Sequence, residues 1–135
     1  RRYPMAACFS GYKQLFAEGQ EFSYDLADLG HYYRHYLAMI RHFQTVAPGS
    51  VHTQRYEDLV EDTEGQVRTL LAALDLPFDP ACLRFFENDR AVRTVSSEQV
   101  RQPIYRSGLD QWRAFEPWLD PLKSALGDAL TGWRA

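Results

Sequence analysis

Val51 to Tyr56 alternates apolar and polar side chains and carries the one convincing strand pattern in the chain. A solitary strand cannot satisfy its own backbone N–H and C=O groups, so a buried one needs neighbours on its edges. No second such pattern follows, and the neighbours are therefore expected from sequence outside these 135 residues, with one further strand ending at Arg1. The opening Arg1-Arg2-Tyr3-Pro4 has neither an initiator Met nor a secretory signal, and it reads as the continuation of something longer. The expectation is the C-terminal, mostly helical part of an α/β domain with one or two strands.

Everywhere else the periodicity is helical. Pro4 suits a first helical turn, where its missing N–H would be unpaired anyway. Ala7, Cys8, Tyr12, Leu15 and Phe16 then recur at helical spacing to about Phe16. A long helix is predicted from about Asp28 to Val46, with Leu29, Tyr33, Tyr36, Ile40 and Phe43 as its inward stripe. Pro48-Gly49-Ser50 ends it. Thr63-Glu64-Gly65-Gln66 fits a capping box for a helix that buries Val67, Leu70, Leu71 and Leu74. Pro80 can open a short helix, residues 87 to 111 read as loop, and Asp120-Pro121 suits the start of a closing helix with Leu122, Ala125, Leu126 and Leu130 inward.

Composition narrows the function. An apolar share of 45% with 24% charged residues is globular chemistry, and 135 residues leave room for one domain. No apolar run approaches the ~20 residues that cross a bilayer. A net charge of −3 argues against a protein that coats nucleic acid. Cys8 and Cys82 form neither a CxxC nor a disulfide framework, so a reducing cytoplasm is the expected setting.

Residues that carry chemistry gather late in the chain. Between Arg84 and Arg113 stand six arginines against four acids, a local balance of +2. Ser96, Ser97, Gln99, Arg101 and Arg106 place hydroxyl, amide and guanidinium donors in one stretch, and guanidinium forks suit phosphate. Arg2 and Ser10 flank a helix start, where exposed N–H groups also favour anions. His31, His35 and His42 lie within roughly 40° of one another on a helix. However, Arg34 and Arg41 stand beside them and would repel a metal ion, so a solvated polar face is favoured. Glu57, Asp58, Glu61, Asp62 and Glu64 read as helix-start charges rather than a cation site. Trp112, Trp118 and Trp133 read as core or edge packing. Neither a phosphate-cradling glycine loop nor a Ser/His/Asp order is present.

Three segments together resemble a known family. Arg2-Tyr3-Pro4-Met5-Ala6-Ala7-Cys8-Phe9-Ser10 is similar to the RxPxxxxxS segment of the sulfotransferases that use 3′-phosphoadenosine 5′-phosphosulfate (PAPS), and Arg55 to Asp62 is similar to their YEDL segment. Ser96 to Trp112 resembles the late cofactor loop of the tyrosylprotein type, and more closely that of bacterial sulfotransferases that follow tetratricopeptide repeats. The resemblance implies a P-loop-like α/β fold, PAPS as sulfonate donor and a hydroxyl-bearing acceptor (small molecule, glycan or peptide tyrosine). It implies that Arg2 and Ser10 hold the 3′-phosphate and that Tyr56 lies by the adenine. Ser96 to Tyr105 would wrap the nucleotide, with Arg101 or Arg106 adding charge, and Trp112 would tie the loop to the closing helix.

Tyr3-Pro4-Met5-Ala6 departs from the Asp-Pro-Arg-Asp often found there, and Gln102 and Gln111 replace the lysines of the tyrosylprotein type. In the family, the 5′-phosphosulfate loop and the catalytic base precede the RxPxxxxxS segment. This chain alone is therefore expected to carry no catalytic residue and not to turn over. The rival reading is a non-catalytic helical module that uses Tyr32, Tyr33 and Tyr36 as a partner surface.

Overall fold

The computed structural model describes residues 1–16, 18–88, 91 and 99–134. Among them the α-helices are α1 (Pro4–Tyr12), α2 (Leu26–Val46), α3 (Tyr56–Glu61), α4 (Thr63–Ala73), α5 (Ser107–Asp110) and α6 (Asp120–Leu126). Short 3-10 helices lie at Glu21–Tyr24, Pro80–Glu87, Gln99–Arg101, Gln111–Trp118 and Gly127–Leu130.

The α/β expectation fails: no strand or sheet occurs among the described residues. The run from Val51 is extended, but its backbone meets a neighbour at one residue. The Arg1 nitrogen donates to the Gln54 carbonyl, and the Arg1 carbonyl accepts from the Tyr56 N–H at 2.8 Å. Two bonds through one residue do not make a ladder, and at Tyr56 the chain already turns into α3. Alternating polarity described an extended segment correctly and a strand wrongly.

Helix starts follow the strongest acceptor on offer. Asp25 caps α2, accepting from the Ala27 and Asp28 N–H groups at 2.8 and 2.9 Å, which moves the start ahead of Asp28. Asp62, not Thr63, caps α4 by accepting from the Gly65 N–H at 3.0 Å. A carboxylate outcompetes a hydroxyl for an N–H donor. Thr63 is thereby left to donate to the Leu59 carbonyl at 2.8 Å, and Gln66 accepts from the Gln54 amide at 2.7 Å. The capping box is absent. Asp120 likewise falls inside α6, with Leu119 at the cap position and no side-chain cap bond.

The chain divides into two compact units, one of Arg2–Val51 with Ser107–Ala135, the other of Arg1 with His52–Arg106. The larger unit holds the core. Met5, Ala6, Cys8 and Phe9 of α1 meet Leu29, Tyr33 and Leu37 of α2, and Trp112, Leu119, Leu122, Leu126 and Ala129 close over them. Within the inward stripe expected for α2, Leu29 and Tyr33 are buried, Tyr36 and Ile40 half-buried and Phe43 exposed. The rival reading's tyrosines thus occupy three environments: Tyr33 in the core, Tyr36 against it and Tyr32 outside, stacked on Phe22 at 4.1 Å. The smaller unit has no buried side chain among its described residues. It is held by half-buried Leu59, Val67, Leu70, Leu71, Phe78 and Leu83, with the Arg68 guanidinium 3.5 Å over the Phe78 ring.

Gly30, in the second turn of α2, faces α6 so closely that an added Cβ would stand 2.5 Å from the Ala125 Cβ and 3.2 Å from the backbone at Ala125 and Leu126. Helix propensity alone favours alanine there by about 1 kcal/mol. Overpacking against backbone costs about 1–3 kcal/mol and outweighs it. Gly30→Ala is therefore expected to lower the melting temperature of the chain by several degrees, and Ala125→Gly in the same chain to restore part of the loss; thermal denaturation followed by circular dichroism measures both.

Candidate functional site

In the larger unit the turn before α1 is fixed from two sides. Tyr33 of α2 donates its hydroxyl to the Arg2 carbonyl at 3.0 Å, and the Arg2 guanidinium donates to the Gly108 carbonyl. A Cβ on Gly108 would lie 3.1 Å from that guanidinium, which would have to shift by a few tenths of an ångström. The Tyr3 ring sits 5.6 Å from Trp112 and 5.4 Å from Trp133, which holds the next residue as well. Trp112 is thus a core residue, as expected, whereas Trp118 is 69% exposed. Ser10 is exposed on α1, roughly 9 Å along the axis from Pro4 at 1.5 Å per residue. Arg2 is set at the helix start by backbone contacts that the sequence did not announce.

In the smaller unit Tyr56, the first residue of α3, donates its hydroxyl to the Tyr105 carbonyl at 3.4 Å. Tyr56, Phe85, Val100, Gln102, Pro103, Ile104 and Tyr105 line a hollow of about 240 Å³. A second hollow of about 280 Å³ shares Phe85, Pro103 and Ile104 and extends to Thr63, Glu64, Leu83 and Phe86. Three of the polar side chains around the two hollows have partners. The Tyr56 hydroxyl is engaged as above, Thr63 donates to Leu59, and Glu64 holds Arg68 at 2.6 Å. What the first hollow offers a ligand is flat aromatic and apolar surface beside the Gln102 side chain.

Gln99–Arg101 forms a 3-10 turn leading into that hollow, and the side chains of Arg101 and Arg106 are exposed. Ser96 and Ser97 lie outside the described residues. The structure therefore brings Tyr56 together with the 100–105 stretch in the smaller unit, and it sets Arg2 and Ser10 in the larger one. Phe85 was missed as a lining residue. Leu83 and Phe86 are half-buried and Phe85 is exposed, on a segment whose helical winding is broken at Arg84 (φ −111°, ψ 35°). No spacing in the sequence marks Phe85, because that break separates Leu83 from Phe85 and Phe86.

His31, His35 and His42 are exposed, and no grouping of three or more His, Cys, Asp or Glu that could hold a metal ion occurs among the described residues. Glu57 and Asp58 stand in the first turn of α3 and Glu64 in that of α4, where the dipole favours them. No helix among the described residues is long and apolar enough to cross a membrane. Burial pushes the Cys8 thiol up to about 12, so at neutral pH it is a protonated core group and not a nucleophile.

A family model described as the sulfotransferase family matches residues 1–80, a span that takes in Arg2, Ser10 and Tyr56 and stops short of the 96–106 stretch. The chain is also 33% identical over 133 residues to an uncharacterized protein of Aquifex aeolicus (strain VF5), across 96% of this chain and 18% of that protein. The chain belongs to the sulfotransferase family and spans less than a fifth of the length of that relative.

The thiol assignment has a direct check. Iodoacetamide at neutral pH should alkylate exposed Cys82 and leave Cys8 untouched until the chain is denatured. Mass spectrometry should find one adduct in the folded chain and two in the unfolded one.

Proposed function

We propose that this chain supplies nucleotide-holding residues to a sulfotransferase of the tyrosylprotein-like, repeat-associated kind, using PAPS and a hydroxyl-bearing acceptor. The observation that carries this reading is the aromatic hollow around Tyr56, Val100 and Tyr105, because it falls in the stretch that the resemblance gives to the nucleotide. The residues fit such a group. A purine presents two flat faces, and base–aromatic stacking is worth about 1–3 kcal/mol per base. Exposed Arg101 and Arg106 bring fixed positive charge to the same unit, suited to phosphate oxygens. Arg2 and Ser10 are the proposed donors to the 3′-phosphate, and Ser96, Ser97 and Gln99 are proposed to complete the loop over the nucleotide.

When bound, PAPS supplies the sulfonate group. The residues named here bind and orient. None is assigned to take the proton from the acceptor hydroxyl, so the chain by itself is proposed to bind without turning over. The acceptor is proposed only as a hydroxyl on a small molecule, glycan or peptide tyrosine, and the setting as the cytoplasm, where an exposed thiol such as Cys82 stays reduced.

Calorimetry with adenosine 3′,5′-bisphosphate tests this reading. One nucleotide should bind per chain, and Tyr56→Ala should weaken binding about tenfold, in keeping with the loss of one stacking face. Arg106→Ala should weaken it as well, more at low salt than at high salt. A chain that evolves no heat with the nucleotide, or a Tyr56→Ala variant that binds as tightly as the parent, contradicts it.

A further inference from the structure

From Leu29 to Val46, α2 contains no Asp or Glu in a chain that carries a net charge of −3. Over the same span it carries Arg34, Arg41, His31, His35 and His42, all exposed. At 100° per residue these five fall within an arc of about 120°. Beside that arc lie Tyr32, Met39, Phe43 and Val46, which are 55%, 52%, 46% and 60% exposed. The opposite side, through Leu29, Gly30, Tyr33 and Leu37, is buried in the core. The helix therefore shows the outside a basic stripe running alongside an apolar one.

Charges on the surrounding elements leave this stripe basic. Asp128, in the 3-10 helix after α6, approaches Arg34 at 4.0 Å with both side chains largely exposed, a pair of small worth. On α6, Lys123 is matched by Glu116 and Asp120 at 3.1 and 3.7 Å. α1 contributes no Asp, Glu, Lys, Arg or His. Glu21, in the 3-10 helix before α2, Asp25, which caps α2, and Asp28, in its first turn, are acids at the N-terminal end.

We infer that this face of α2 is a docking surface for an acidic segment of a partner protein that carries apolar side chains next to its carboxylates. Carboxylates match the Arg34–Arg41 stripe, and arginine and aromatic side chains are the types enriched where proteins meet. A nucleic acid would use the arginines and leave Met39, Phe43 and Val46 without a counterpart. A bilayer is the poorer match for a different reason. A helix lying on lipid immerses an apolar stripe with cations on both flanks, whereas here one flank of the stripe is basic and the other turns into the protein core.

The test uses the whole 135-residue chain and a fluorescein-labelled helical peptide of leucines and glutamates, set so that each residue type forms one stripe. Its controls are the same peptide with lysine in place of glutamate, a DNA duplex, and phosphatidylserine–phosphatidylcholine vesicles. The glutamate peptide should bind, the lysine peptide should not, and Arg41→Glu should weaken binding about tenfold, as reversing a charge against a complementary patch does. Arg41→Gln, a milder change at an exposed position, should weaken it less, and Met39→Ser should weaken it without altering its salt dependence. Equal binding of the two peptides, indifference to Arg41→Glu in a chain with an unchanged melting curve, or tighter binding to the vesicles or the duplex than to the glutamate peptide would each overturn the inference.

Discussion

Gly30 lacks a Cβ where α2 meets α6, and one added there would stand 2.5 Å from the Ala125 Cβ. That approach draws α2 and α6 together, and the core of the larger unit follows from it. Leu122 and Leu126 become inaccessible to solvent, and Leu29, Tyr33 and Leu37 meet Met5, Cys8 and Phe9 of α1. A larger side chain at either position would open the space that these residues fill, and interiors tolerate such gaps poorly.

The placement of Arg2 depends on the same packing. Tyr33 is buried because α2 is drawn inward, and its hydroxyl then reaches the Arg2 carbonyl. The Arg2 guanidinium donates to the Gly108 carbonyl, and the Tyr3 ring packs against Trp112 and Trp133. A charged side chain at the head of a helix is thus held by core contacts. In the smaller unit, positioning works through shorter-range means: Asp62 caps α4, Gln54 links to Gln66, and Tyr56 closes on the Tyr105 carbonyl.

Helices with a strong apolar stripe were legible in the sequence, and their ends were not. Leu122, Ala125 and Leu126 are buried in α6 as the 3.6-residue period requires, and Pro4 begins α1. The caps went astray because several acceptors stood in a row, and chemistry chose among them: Asp62 over Thr63, Asp25 over Asp28. The strand failed for a deeper reason. Alternation reports which way side chains point in an extended chain, whereas a sheet is defined by a neighbour, and neighbours are a tertiary property. Tyr56 and the 100–105 stretch could be named from motifs, but Phe85 between them could not, since nothing local ties a 3-10 helix at residues 80–87 to a loop beyond residue 99.

Family membership rests on residues 1–80, and the functional reading adds the aromatic hollow to it. The physical demand is modest: one flat apolar seat for a purine, with arginines in the same unit. It is answered most directly by nuclear magnetic resonance of the chain carrying ¹³C-labelled tyrosine rings, titrated with adenosine 3′,5′-bisphosphate and, separately, with inorganic phosphate. The account predicts that the Tyr56 and Tyr105 ring signals move with the nucleotide, in the sense expected for stacking under a base, and stay in place with phosphate. Ring signals that ignore the nucleotide, or that respond equally to phosphate, would contradict it.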